Sequence, residues 1–301
     1  MIITNFQGII KWQVKLKKND SLDKRNHPLL YQRILINHLL TYSLAMEILR
    51  INEKQIKILK ALGHYKFLTY SQMIRLGIDN HSPNLSTLVK GLKDRRSPYV
   101  ASIPHRIGNE IKHFLTSKGK DLLVESYRLD EESIHYPIGK ITTDTQDEKH
   151  RTSIISIQIE MELHAQTRGL QVLFCDRYFD KVGNNKVDKN LKSKTAVLFE
   201  DGKSLKADMI FSLETSKQKE LYMLELENGK DTKKAIDKCI QHGKALLRGS
   251  ANEKYGFQKG YRTLWIFESE GTKTSLIKEL SVNPFFANMK EYFLFKSLST
   301  A

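Results

Sequence analysis

The 301-residue sequence predicts an α+β protein: a small, basic, helix-rich front module and a back domain of helices layered on a mixed central sheet. Apolar residues recur at helical spacing through the front part, interrupted by one alternating two-stranded stretch near residues 99–115. Beyond residue 147 the segments follow the order α-β-β-β-α-β-α-β. Charge is also divided unevenly. Residues 1–129 carry 22 Lys/Arg against 9 Asp/Glu, whereas residues 130–301 carry 27 against 25. The expected divisions are an N-terminal extension at 1–50, the front module at 51–129, a polar, acidic linker at 130–146 and the back domain at 147–301.

Composition excludes several classes. Hydrophobic residues make up 40% and charged residues 28%, the balance of a chain that packs a core. Two cysteines, Cys175 and Cys239, cannot build a disulfide scaffold or a four-cysteine zinc site, and fit a reducing cytosol. No apolar run reaches membrane-span length, and no signal-peptide pattern opens the chain. No P-loop is present, so the chain is not itself an ATPase or helicase. The net charge of +15, concentrated in the front, points to a polyanion partner.

In the extension, Ile9, Ile10, Trp12 and Val14 read as a short strand. Residues 27–50 read as a helix, with Pro28 in its first turn. Gln55, Ile56, Ile58, Leu59, Leu62 and Tyr65 then mark an amphipathic helix. Thr69 or Ser71 caps a short helix, Gln72–Leu76, closed by Gly77 at positive φ. A third helix runs from about Pro83 to Asp94. Tyr99–Ile103 and Glu110–Leu115 alternate around Gly108–Asn109 as a hairpin, and a helix follows from Thr116 to Tyr127.

Three helices and a hairpin in this order resemble a winged helix-turn-helix, whose third helix enters the major groove and whose hairpin meets the backbone. On that resemblance Asn84, Ser86, Thr87, Lys90 and Lys93 of the third helix, Arg95 and Arg96 at its end, and Arg106 and Lys112 of the hairpin are candidate DNA contacts. His105 and His113 flank them. Leu85, Leu88, Val89 and Leu92 face the core.

The back domain opens with a helix from about Asp147 to Arg168, ended by Gly169, with Ile154, Ile157, Met161 and Ala165 as its buried stripe and His164 close to it. Strands are expected at Leu170–Phe174, Ala196–Phe199, Ala207–Leu213 and Glu220–Leu226. A helix at Thr232–Leu247, a strand at Arg262–Glu268, a helix at Lys273–Leu280 and a strand at Tyr292–Lys296 complete it.

The chemistry lies in Ala207–Glu227. If the turn 214–219 closes symmetrically, Leu213 pairs with Glu220 and Asp208 lies opposite Glu225. Opposed residues share a face, and alternation adds Glu227, so three carboxylates are expected to converge. Like charges across a ladder repel and need compensation, most simply by Mg²⁺ or Mn²⁺ held by oxygen ligands.

Asp208 ahead of an apolar strand, with Glu225-Leu-Glu227 ending the next, resembles the PD-(D/E)xK nuclease motif. Glu227 stands where that superfamily usually has Lys. Joined to the front module, the pattern resembles the MobC-type plasmid relaxases of the replication-relaxation group, over about residues 51–250. The resemblance implies a winged helix followed by a restriction-endonuclease-like domain. It implies metal binding by Asp208 and Glu225, and catalysis by these with Glu227, Lys238 and His150. Lys238 corresponds to the family's helix lysine, and His242 stands where a Tyr is expected. Lys233, Lys234, Lys238 and Lys244 read equally as groups that grip the DNA backbone. Tyr178 is a conceivable covalent nucleophile.

The expected activity is therefore a metal-dependent, site-specific nick at a plasmid or mobile-element origin of transfer or replication. The partners implied are double-stranded DNA, accessory mobilisation proteins and a coupling protein, without a membrane, in a bacterial cytoplasm. Two rival readings stand. A restriction-type endonuclease cutting both strands would need a homodimer. A DNA-binding replication regulator would carry an inactive nuclease-like domain.

Overall fold

Helix α1, Glu53–Tyr65, begins at a reciprocal cap in which the Asn52 side chain accepts from the Gln55 N–H (2.9 Å) and the Gln55 side chain accepts from the Asn52 N–H (3.2 Å). This computed structural model describes residues 51–103, 110–137, 145–182, 192–199, 202–216, 218–229 and 231–298. The expected strand and helix of the extension, with His105, Arg106 and Gly108–Asn109, lie outside the described residues. Lys57–Ala301 forms one compact unit and Met1–Ile56 another.

In the front module, α2 (Tyr70–Arg75) starts from Thr69, whose hydroxyl accepts from the Gln72 N–H, and stops at Gly77, φ 67°. Glycine takes that left-handed conformation without steric cost. Helix α3 (Ser82–Lys93) buries Leu85, Val89 and Leu92. Strands β1 (Val100–Ile103) and β2 (Lys112–Leu115) pair antiparallel, and Leu68 adds a bridge to His113. Helix α4 (Ser117–Glu125) is capped by Thr116. The hairpin and helix order follow the sequence expectation, with ends shifted by one or two residues.

In the back domain, α5 (Thr145–Thr167) leads into β3 (Gln171–Arg177). The main sheet then takes β8 (Met209–Glu214) and β9 (Lys219–Glu227), followed by α6 (Thr232–Arg248), α7 (Ser250–Tyr255), β10 (Arg262–Phe267), α8 (Glu270–Ser281), α9 (Pro284–Ala287) and β11 (Phe293–Ser297). The five strands lie in chain order, β3-β8-β9-β10-β11. Only β8 runs against its neighbours, so the sheet is mixed. Leu213 pairs with Glu220, the register expected from a symmetric turn. Four short strands stand outside this sheet: β4 (Lys181–Val182) with β5 (Lys192–Ser193), and β6 (Ala196–Leu198) with β7 (Ser204–Lys206). The strand expected at Ala196–Phe199 is thus a satellite hairpin. Its Val197 and Leu205 cap the core made by Ile210, Leu221, Met223 and Tyr261.

Helix α6 lies close against its neighbours. Ala235 and Cys239 pack with Trp265, Phe267, Leu276 and Phe286, and a Cβ added at Gly243 would come within 2.6 Å of the Phe285 ring. This approach fixes the helix that faces the strand ends of the site.

Buried polar bonds join the front and back modules. Lys66 takes φ 72°, a conformation that strains a non-glycine residue, and so sends its ammonium to the Phe179 carbonyl (3.1 Å) and Asp180 (3.3 Å). Arg177, with no exposed surface, binds Asp180 (2.8 Å), the Tyr65 carbonyl (2.9 Å) and Gln158 (3.1 Å). Lys112 is buried, its ammonium on the Glu148 carbonyl (2.9 Å) and carboxylate (3.0 Å). The stretch expected as a linker is packed through Pro137: Ile134 is buried and the His135 N–H donates to the Gly63 carbonyl (2.6 Å).

Candidate active site

The ladder between β8 and β9 continues past its last assigned pair. The Asp208 N–H donates to the Leu224 carbonyl (3.1 Å), while the Asp208 carbonyl accepts from the Tyr178 N–H (2.9 Å). The last regular pair is Met209 with Leu224, so Asp208 also bonds Leu224, at an irregular end of the ladder, next to Glu225 in sequence. Both side chains are buried, Asp208 at 9% and Glu225 at 1% exposure.

Every oxygen of this pair meets a protein donor. Asp208 Oδ1 faces His150 Nε2 at 3.1 Å, from the first turns of α5. Asp208 Oδ2 accepts the Leu226 N–H at 2.9 Å. Glu225 Oε1 faces His242 Nε2 at 2.6 Å, and Oε2 binds the Lys238 ammonium. Lys238 and His242 stand four residues apart on α6, and so on one face of that helix. His242 is fully buried, whereas the Lys238 side chain keeps 31% exposure. The Asn228 side chain reaches His150 Nδ1 at 3.4 Å.

The electrostatics favour charged forms. Burial opposes ionisation of Asp208, but the His150 hydrogen bond, the nearby Lys238 and the Leu226 N–H outweigh it and hold the carboxyl below its usual range. Burial likewise opposes the imidazolium of His150, yet the Asp208 hydrogen bond and charge raise its pKa above the ordinary histidine value. For Lys238 the charges of Glu225, Asp208 and Glu227 outweigh burial and push the pKa up to about 12. The site thus favours the carboxylate form of Asp208 and the ammonium form of Lys238.

The expectation that three carboxylates converge on a divalent ion needs revision in two ways. Glu227 adds its charge to the field at Lys238, but its Oε1 accepts the Gly229 N–H of its own loop (2.8 Å). Among the described residues no three His, Cys, Asp or Glu side chains form a metal-binding group. Repulsion across the ladder is relieved by Lys238, His150, His242 and a backbone N–H.

Other candidates are dispersed. Tyr178 is no free nucleophile: its hydroxyl donates to Asp147 Oδ1 (2.6 Å), and burial first, then Asp147, raises its pKa. His164 is exposed, not set against the core. Lys233, Lys234 and Lys244 are exposed on α6. On α3, Ser86, Thr87 and Lys90 are exposed and Lys93 half-buried, and Arg96, three residues past the helix end, is exposed. Asn84 bonds Asp79 (3.1 Å), and the Arg95 guanidinium lies 5.2 Å from the Tyr99 ring centroid. Lys112 drops out as a DNA contact, since Glu148 consumes its charge inside the protein. Comparison with protein-family models, curated proteins and solved structures finds no match for the chain.

Proposed function

We propose that the chain is a metal-dependent, site-specific DNA nickase acting at an origin of transfer or replication. The observation that carries this reading is the presence of two buried carboxylates, Asp208 and Glu225, near one strand end, with the cationic Lys238 on Glu225 and its charge felt at Asp208. Burying two acids side by side is costly, and an arrangement that retains both suits a site whose substrate brings further charge. The helix-first α-β-β-β-α-β order supports a restriction-endonuclease-like domain, and the three helices with their hairpin support a winged helix. Exposed Ser86, Thr87 and Lys90 on α3, with Arg96 just past its end, offer polar, basic groups suited to a DNA groove.

Hard oxygen donors suit Mg²⁺ or Mn²⁺, and Asp208 and Glu225 would hold the ion by exchanging some of their protein donors for it. When bound, such an ion polarises a phosphoryl oxygen and acidifies its water. His242 fixes the Glu225 carboxylate from a sealed position, and Asp208 is fixed by the Leu226 N–H. Lys238, protonated at neutral pH, cannot act as a base there; it stabilises negative charge building on the phosphate. His150 faces Asp208 at 3.1 Å, and the hydrogen bond and charge of Asp208 raise its pKa, favouring the imidazolium beside the carboxylate.

One observation favours a second reading. All four carboxylate oxygens already have protein donors, as in a structural cluster, which suits a DNA-binding regulator with an inactive nuclease-like domain. Incubating the protein with supercoiled cognate plasmid and Mn²⁺, and mapping breaks, separates the two. Nicking of one strand, lost in Asp208→Ala and Glu225→Ala while DNA binding persists, supports the enzyme. No break with any divalent ion supports the regulator, and double-strand breaks from a dimer support the restriction-type alternative.

A further inference from the structure

Tyr178 belongs to two neighbouring environments. Its ring meets the His150 ring edge-to-face, centroids 5.4 Å apart, and its N–H is held by Asp208. The same side chain lines a cleft of about 360 Å³, a size that admits a small ligand such as one nucleotide.

The charges of this cleft do not cancel. Asp180 is matched by Arg177 and Lys66, Asp147 by Arg151 and the Tyr178 hydroxyl, and Lys194 pairs with Asp176, which leaves Glu132 as the third acid of a lining that holds five Lys/Arg. Lys181 and Lys206 line the cleft as well, and among the described residues neither enters an ion pair. Burial first, and then the charge of Lys206, lowers the Lys181 pKa, as expected of two ammonium groups crowded together. Lys206 Nζ lies 5.5 Å from the Tyr178 ring centroid. Arg151 also lines the cleft, is 5% exposed, and keeps Nε without a hydrogen-bond partner. Tyr136 adds a second phenol ring to the lining. Surplus cations beside aromatic rings match the chemistry of a nucleotide, phosphate on the cations and base against a ring.

We propose that this cleft is a nucleotide subsite, taking the unit next to the scissile phosphate with its phosphate on Lys181, Lys206 and Arg151; the inference rests on the nickase reading. Tyr178 then separates two successive phosphates of one strand, one at Asp208 and Glu225, the other in the cleft. The subsite grips the cut strand independently of α3, which reads the duplex.

The test titrates labelled single-stranded tetrathymidylate, and separately thymidine monophosphate, into wild type and the double variant Lys181→Ala/Lys206→Ala. Both lysines are exposed, so their truncation leaves the core intact. The double variant is expected to bind the oligonucleotide about 10-fold more weakly than wild type, with a salt slope reduced by about 0.7 for the one lost single-strand phosphate contact. Unchanged affinity and slope in the double variant would overturn the subsite. Thymidine monophosphate binding as tightly as the oligonucleotide would mark the cleft as a free-nucleotide site and overturn strand gripping. Plasmid nicking is scored in parallel. Nicking with unaltered oligonucleotide binding in the double variant removes the subsite alone. Weakened oligonucleotide binding in a chain that never nicks keeps a strand-phosphate site, but removes both the nickase and the position beside a scissile bond.

Discussion

Two carboxylate-centred clusters lie near each other in the back domain and are built from nearly the same residue types. One sets Asp180 against Arg177 and Lys66; the other sets Asp208 and Glu225 against His150, His242 and Lys238. They differ in access. The side chains of the first cluster are 0% to 10% exposed, and its bonds run to backbone carbonyls of the front module. In the second, Lys238 and His150 retain 31% and 19% exposure at the end of a sheet. The first cluster holds two modules together, whereas the second keeps two partly exposed cationic side chains at the end of the sheet.

The largest expected effect is on the sealed cluster. Asp180→Asn leaves two buried cations without a counter-charge and should cost about 3–5 kcal/mol in denaturant unfolding. The Asp180 pKa is lowered: burial alone would raise it, and the charges of Arg177 and Lys66 overcome that. Its contribution is complete above the ordinary carboxylate value of 3.8 and declines as pH falls through the lower folded value. The stability gap between wild type and Asp180→Asn should therefore narrow only under strongly acidic conditions. A neutral-pH loss below 1 kcal/mol would erase the contrast between the clusters.

Lys238→Met should act in the opposite sense, lowering nicking by about 10²-fold as expected for one lost charge-stabilising donor, with little change in melting. A large loss of stability with little loss of rate would make the second cluster structural too. A smaller effect concerns α3. Lys90→Ala with Arg96→Ala should weaken duplex binding and reduce the salt slope by about 1.8 for two B-DNA phosphates, leaving the affinity for short single strands unchanged. An equal loss on both substrates would merge the surfaces that the geometry separates.

Much of this was legible from sequence wherever local pattern decides the outcome. The alternation of Ala207–Leu213 and Glu220–Leu226 about a six-residue turn carried the register from Leu213–Glu220 to Met209–Leu224, because a slip of one residue would reverse both faces; the bond from Asp208 to the Leu224 carbonyl departs from that register at the strand end. Helical spacing likewise located α3 and α6. What escaped notice depends on distant chain segments. Lys66 and Asp180 are 114 positions apart and Lys112 and Glu148 36 apart, so no local pattern distinguished these cations from DNA-facing ones. His242 looked like a misplaced tyrosine until the packing of α6 brought it to Glu225. Glu227 has the right alternation but lies where the strand ends, and the loop N–H at Gly229 takes its carboxylate.

The most direct measurement is calorimetric titration of Mn²⁺ into the metal-free protein and into Asp208→Asn/Glu225→Gln, with melting curves for both. One ion bound by wild type and none by the double variant, with both chains still folded, is the expected result. No binding by wild type, or equal binding by the two chains, would show that these carboxylates serve Lys238 and the histidines alone.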